Sequence, residues 1–218
     1  MERRYADVGV SLNVSTRDDG GDTVTGYAAV FYREGNTETE FSPLPGIAER
    51  IAPGAFDSVL AQGEDVRALF NHDPSNVLGR SVSGTLRLRV DDIGLRYEID
   101  LPNTTGGRDL AESIKRGDVS GSSFGFTIAE GGQRWFRDNG VDIREVRNVA
   151  RLQDVGPVTY PAYTATSTAI RSEYVKDCET AHKAWLDAES DDDAGESTAE
   201  DSISLELTQR WIDANRDD

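Results

Sequence analysis

The sequence is poor in the residues that build disulfides and metal centres. It contains one cysteine, Cys178, and two histidines among 218 residues. A single cysteine excludes an internal disulfide, and this small set of Cys and His cannot assemble a structural zinc site. We therefore expect no metal and no cofactor, so that any chemistry has to come from hydroxyl groups, carboxylates and a histidine.

Long apolar segments are also missing. No run approaches the roughly 18 residues that a membrane span requires, and the first residues lack the apolar stretch of a secretion signal. These absences predict a soluble protein of the cytoplasm that does not insert into a membrane.

Basic residues are too few to balance the acidic ones. The chain has 23 lysine and arginine residues and 40 aspartate and glutamate residues, which gives a formal net charge of -17. Such a charge repels phosphates and disfavours direct binding of nucleic acid. The excess is concentrated in residues 173–218, which hold 15 acidic and 4 basic side chains. This shift predicts a body over residues 1–172 and an acidic, helical and partly disordered tail over residues 173–218.

The body has the apolar patterns of a mostly β protein. Leu86 to Val90 and Leu95 to Leu101 alternate around a turn, which predicts a hairpin. Helical spacing predicts helices over Ala55 to Ala61 and Thr104 to Arg116. The other predicted strands are Val8 to Val14, Val24 to Tyr32, Val66 to Phe70, Ser122 to Ile128 and Val149 to Val155. The expected fold class is α+β with a predominance of strands.

The tail contains two apolar stripes at helical spacing. The first consists of Tyr174, Cys178, Ala181, Trp185 and Ala188, and the second of Ile203, Leu207 and Trp211. Both are too short to form a core of their own, so they either pack on the body or join a partner helix.

His72 is the first candidate for a catalytic group. It follows the predicted strand Val66 to Phe70, so its imidazole would emerge at the end of a sheet beside a turn, where catalytic groups are common. Its side chain also titrates near neutral pH. A histidine that only satisfies a hydrogen bond of the turn is the alternative.

Ser123 is the second candidate. In its strand Phe124 and Phe126 point to one face, while Ser123 and Gly125 point to the other. The small residues around one hydroxyl leave room for a peptide carbonyl, and a nearby base would be needed to deprotonate the serine. An ordinary Ser/Gly-rich strand is the alternative.

Asp154 is the candidate for the group that orients the imidazole and stabilises its protonated form. In Val149 to Val155 it shares the alternation face of Ala150 and Leu152, and a carboxylate among apolar neighbours is costly unless it is paired. An exposed aspartate at the end of a strand is the alternative.

Together these segments resemble the tailed-phage prohead proteases, which are serine proteases of capsid maturation. The blocks are "GYAAVF", "ERIAPGAFDSVL", "LFNHDP" with "VLGR", "GDVSGSSFGF" and "LQDVGPVTYPAY". They occur in the family's order, and several spaced blocks are more specific than one. The resemblance implies that the histidine of the family falls on His72, its nucleophile on Ser123 and its acidic partner on Asp154. Many members have Glu-Val-Ser where this chain has Asp154, Val155 and Gly156.

The resemblance also implies a fold similar to herpesvirus assemblin, a β-barrel with surrounding helices. It implies an endopeptidase that removes the scaffolding segment of the major capsid protein, or a separate scaffold protein. This cleavage would take place inside the procapsid, in the cytoplasm of the host cell. Cleavage of the enzyme itself is expected as well, and the resemblance leaves room for self-association.

Two other interpretations stay open. The segment around Ser123 fits G-x-S-x-G, and Ser123, Asp154 and His182 follow the order of an α/β-hydrolase triad, as in lipases and esterases. A nucleophile elbow needs a helix directly after the serine, whereas this sequence continues a strand. His182 flanks an apolar stripe, as a packing or surface residue does. The second interpretation is a non-enzymatic β-barrel assembly or scaffold module whose tail binds a partner.

Overall fold

The computed structural model describes residues 2–6, 12–160 and 168–192, with side chains for 12–36, 38–160 and 175–189. The strands of this part are β1 (Glu2–Ala6), β2 (Asn13–Thr16), β3 (Asp22–Val30), β4 (Glu40–Leu44), β5 (Ile47–Ile51), β6 (Arg67–Leu69), β7 (Val77–Arg80), β8 (Leu86–Val90), β9 (Gly94–Asp100), β10 (Gly121–Ile128), β11 (Gln133–Asp138), β12 (Val141–Val146) and β13 (Val149–Val158). The helices are α1 (Asp57–Ala61), α2 (Thr105–Arg116) and α3 (Thr168–Asp192), besides two 3₁₀ turns at Thr37–Thr39 and Ser81–Ser83. The predicted α+β class with mostly β structure is confirmed.

The described strands form three sheets. The first, here called the site sheet, has the order β1-β10-β13-β6-β7. The second has the order β11-β12-β5-β4, and the third β2-β3-β9-β8. In the site sheet β10 pairs antiparallel with β13, which pairs parallel with β6. Pairing among the described strands does not close a barrel, so the assemblin-like barrel stays a prediction.

Elements with a clear apolar period are found where the sequence predicts them. The hairpin of β8 and β9 pairs Leu86 with Ile99, and the inward side chains of β9 are fully buried. Helix α2 begins after Thr104, whose Oγ1 accepts a hydrogen bond from the Gly107 N–H at 3.2 Å. It ends at Gly117, whose φ of 81° suits a left-handed cap. The predicted strand Val8 to Val14 lies partly outside the described residues.

Strands β1, β4, β5, β7, β11 and β12 were not predicted. The reason is clearest in β5 and β12, where charged side chains face inward and interrupt the apolar alternation. Glu49 of β5 and Arg144 of β12 are almost fully buried and form an ion pair at 3.3 Å. Because burial of a charge is tolerated only with a partner, such strands cannot be recognised from either segment alone.

An aromatic cluster fixes the inner face of β10. Phe124 and Phe126 stack with ring centroids 4.7 Å apart, and Phe56 meets Phe124 edge-on at 5.7 Å. All three rings are buried in the main core. Because side chains alternate along a strand, Ser123 and Gly125 lie on the opposite face of the site sheet.

Helix α3 packs two residues of its first apolar stripe, Cys178 and Trp185, on the second sheet. Cys178 is fully buried and packs with Leu44 and Ile47. Trp185 stacks on Trp135 of β11 at a centroid distance of 5.9 Å. The helix runs across the predicted boundary at residue 172, and the second stripe, Ile203 to Trp211, lies outside the described residues. None of the described helices is long and apolar enough to cross a membrane.

Candidate active site

The loop after β6 holds His72 in a conformation that few residues adopt. Asn71 and His72 have φ values of 54° and 57°, in the left-handed region. The Asn71 N–H donates to the Pro157 carbonyl oxygen at 3.1 Å. The Asn71 side chain donates to Thr159 Oγ1 at 3.1 Å and accepts from the Thr159 N–H at 2.8 Å. The end of β13 therefore offsets the strain of this turn and fixes where the imidazole points.

Asp73, next to the histidine, forms hydrogen bonds within the turn itself. Its carboxylate accepts hydrogen bonds from the Ser75 N–H at 2.8 Å and the Ser75 hydroxyl at 2.6 Å. These bonds from Ser75 hold the pKa of Asp73 below its usual value. The carboxylate adjacent in sequence is thus not the one that contacts His72.

The two neighbouring serines of β10 have different environments. Ser122 lies on the core side, where its Oγ is 2.7 Å from the hydroxyl of the fully buried Tyr97. Burial raises the pKa of Tyr97, although the hydrogen bond with Ser122 acts in the opposite direction. Ser123 is buried on the other face and contacts His72. The choice of Ser123 over Ser122 agrees with this geometry.

The structure brings the three predicted residues together in a buried chain of hydrogen bonds. His72 Nδ1 contacts Asp154 Oδ1, and His72 Nε2 contacts Ser123 Oγ. Because a carboxylate only accepts, Nδ1 carries the proton of the neutral ring. Nε2 is then the acceptor for the Ser123 hydroxyl. This arrangement can remove a proton from a serine and stabilise the imidazolium that forms.

A β-bulge turns Asp154 towards His72. Gly125 pairs with Asp154 and Phe126 pairs with Leu152, so Gln153 has no partner in β10. Leu152 points into the core, whereas Asp154 lies on the face of Ser123 and Gly125. The expectation that Asp154 shares the face of Leu152 is therefore wrong, because the extra residue reverses the alternation.

Two glycines allow the close approaches on which this geometry depends. A Cβ on Gly125 would lie 2.6 Å from Asp154 Oδ2. A Cβ on Gly156, opposite Ser123, would lie 2.2 Å from the carbonyl oxygen of Leu69. The first glycine makes room for the carboxylate, and the second lets β6 approach β13 closely. The sequence interpretation gave Gly125 only the role of leaving space for a substrate.

A cleft of about 350 Å³, here called the site cleft, opens beside the histidine. Its lining includes His72, Asp154, Leu69, Pro74 and Val77. The pair of His72 and Asp154 can therefore be approached from this side by a bound molecule.

His182 does not belong to this group. Its Nε2 donates to Asp142 Oδ2 at 2.7 Å, and its ring lies 5.2 Å from that of Trp135 and 5.8 Å from that of Trp185. Burial alone would raise the pKa of Asp142, but hydrogen bonds from His182 and Arg137 hold it below its usual value. The hydrolase-order set with His182 is not assembled, and Ser123 lies within a strand instead of before a helix.

Asn71 and Thr159 were missed by the sequence interpretation. The available signal was that asparagine tolerates the left-handed conformation better than most residues and directly precedes His72. The bulge at Gln153 left no such signal, because neither glycine nor proline marks it.

Comparison with known proteins defines the class of this chain. Residues 10–181 match the family described as Caudovirus prohead serine protease, and the chain belongs to that family. The chain is similar to the prohead protease of Enterobacteria phage HK97, with 31% identity over 140 residues. This alignment covers 63% of the chain and 54% of the phage protein, so the chain spans about half the length of that relative. No solved structure matches the chain.

Proposed function

We propose that this protein is a serine endopeptidase with Ser123 as nucleophile, His72 as general base and Asp154 as the group that orients the imidazole. The main support is the buried chain of hydrogen bonds from Asp154 through His72 to Ser123, in a member of the prohead serine protease family. No metal or cofactor enters this proposal.

In the proposed mechanism the Ser123 proton passes to His72 Nε2 while Oγ attacks the scissile carbonyl carbon. The tetrahedral intermediate collapses, the C–N bond breaks, and the imidazolium gives its proton to the leaving amine. Asp154 stabilises the imidazolium between these steps. Water then hydrolyses the acyl-enzyme with His72 again acting as base, which regenerates the serine and releases an acid.

The proposed substrate is the scaffolding segment of the major capsid protein, or a separate scaffold protein, inside the procapsid in the host cytoplasm. Self-cleavage belongs to the same proposal. Membership in the prohead serine protease family and similarity to the HK97 prohead protease support a substrate in the procapsid. We further propose that residues 1–172 form the protease body, that its sheets belong to an assemblin-like barrel, and that residues 173–218 form an acidic tail that begins within α3.

The test is co-expression of the chain with the capsid protein, followed by mass analysis of both. We expect shortened capsid protein, and a fluorophosphonate reagent should label purified enzyme on Ser123, located by peptide mapping. The reagent should fail to label the His72→Ala protein. Intact capsid protein together with no labelling would contradict the proposal and favour the scaffold module.

Substitution of Gly125 tests how closely Asp154 must be held. In Gly125→Ala the new Cβ meets the carboxylate of Asp154, which must move away from His72. We expect the rate of substrate cleavage to fall about 100-fold, because a misplacement of around 1 Å has that effect on oriented groups. Thermal unfolding should still show a folded protein.

Gly21→Ala is the matched control for this substitution. Its Cβ would meet mainly the flexible tip of the Arg17 side chain, in a turn outside the site sheet. Its cleavage rate should stay within about twofold of the unsubstituted protein, as for surface changes in general. Equal rates for Gly125→Ala and Gly21→Ala would show that the carboxylate is not held as described.

A further inference from the structure

A second cleft lies next to the site cleft. It has a volume of about 620 Å³ and lies between the His72 loop, β7 and the start of α2. Its lining includes Phe70, Leu78, Asp109 and Leu110, and it is here called the helix cleft. Val77 lines both clefts. The two spaces therefore meet at the first residue of β7, which is an edge strand of the site sheet.

Val77 is an apolar residue whose side chain is unusually exposed, as is common for residues that contact a ligand. Its exposed fraction is 50%, and the described part of the chain has only two other large hydrophobic residues with comparable exposure, Val82 and Tyr160. Its neighbour Leu78 is buried, so the strand itself is well packed. An apolar side chain exposed between two clefts, beside a catalytic group, is typical of a surface that a ligand covers.

We propose that the two clefts form one groove that binds an extended segment of the polypeptide substrate across Val77. This inference rests on the proposed endopeptidase function and names the surface that recognises its substrate. In an extended segment, side chains alternate between opposite sides. Successive side chains can therefore enter the two clefts, one on either side of Val77.

The charges that line the groove determine which charge a bound substrate segment should carry. The described lining of the helix cleft includes the carboxylate of Asp109 and no basic side chain. The site cleft includes Arg67, but its guanidinium already bonds the Asp65 carbonyl at 2.7 Å and pairs with the Asp65 carboxylate at 2.8 Å. The groove therefore fits a neutral or basic segment better than an acidic one.

This charge preference distinguishes two possible occupants of the groove, the acidic tail of the chain and a segment of the substrate. The chain's own residues 173–218 carry 15 acidic and 4 basic side chains, which the Asp109 carboxylate would repel. The described tail helix also packs on the second sheet and not along β7. The occupant is thus a segment of the capsid or scaffold substrate, and not the acidic tail.

The test measures binding separately from cleavage. In the Ser123→Ala background, a fluorescent peptide from the scaffolding segment of the capsid protein is titrated and the anisotropy recorded. We expect Val77→Asn to weaken binding at least about tenfold, since it replaces an apolar contact with a polar side chain and leaves the charge of the groove unchanged. Val82→Asn changes a similarly exposed valine outside both clefts and should alter the affinity less than about twofold.

Equal affinities for Val77→Asn and Val82→Asn, or no binding by the Ser123→Ala protein itself, would contradict the proposed groove. An acidic peptide from residues 193–218 is the competitor, and displacement of the substrate peptide by it would overturn the choice of occupant. The binding assay uses a protein without the Ser123 hydroxyl, so it does not depend on catalysis. Failure of the catalytic proposal is detected separately, as absent fluorophosphonate labelling of the unsubstituted enzyme. Thermal unfolding of both valine variants establishes that they are folded.

Discussion

Ser123→Ala is expected to lower the rate of capsid-protein cleavage by about 10⁵- to 10⁶-fold, and His72→Ala by a similar factor. Each change removes one end of the proton transfer, and residual catalysis comes only from binding and positioning of the substrate. The double variant should be no worse than either single one, because the two groups act as a unit. Rates are measured from the fraction of cleaved capsid protein over time.

The chain contains a matched control for each residue. Ser122→Ala removes the neighbouring hydroxyl, which contacts Tyr97 on the core side of β10. His182→Ala removes the other histidine, which lies on α3, is hydrogen-bonded to Asp142 and packs on the Trp135 ring. Both should retain cleavage whenever they fold, although each loses some stability. An active His72→Ala together with an inactive His182→Ala would reverse the assignment of the base.

Asp154→Asn is expected to reduce the cleavage rate by about 10⁴-fold. The amide can donate a hydrogen bond to Nδ1, which would place the ring proton on Nε2. Nε2 could then no longer accept the proton of Ser123. The effect should fall on kcat, because the substitution leaves the site cleft nearly the same size.

Asp154→Glu is the comparison for this substitution. It keeps the negative charge and the correct tautomer, so its loss should be far smaller than that of Asp154→Asn. Equal cleavage by Asp154→Asn and the unsubstituted enzyme would show that this carboxylate does not orient the imidazole. Crystal structures of the two variants would give the position of the ring directly.

The fold was predictable where one face of an element is apolar and the other is polar. The hairpin of β8 and β9 and the helix α2 are of this kind, and they lie within a few residues of the expected bounds. Strands β5 and β12 were not predictable in this way. Their inward charges, Glu49 and Arg144, are tolerated because they meet each other across 95 positions of sequence. Local patterns carry no information on such a pair.

The sequence was enough to predict which three residues come together, but not the backbone features that hold them in place. His72, Ser123 and Asp154 lie in blocks that the family places in order, and the structure brings these three together. The face predicted for Asp154 was wrong, since the bulge at Gln153 reverses the alternation, whereas its burial with a partner was as expected. The left-handed backbone at Asn71 depends on its hydrogen bonds with Thr159, 88 positions away.

The close approach of Leu69 to Gly156 bears on the two positions at which this chain differs from the Glu-Val-Ser that the family resemblance implies. A serine at position 156 would push Leu69, and with it the loop that follows β6, away from β13. The imidazole would then stand farther from residue 154, and a glutamate side chain reaches farther than an aspartate by one methylene group. The short acid and the missing side chain therefore compensate for each other. In evolution we therefore expect the two positions to have changed together.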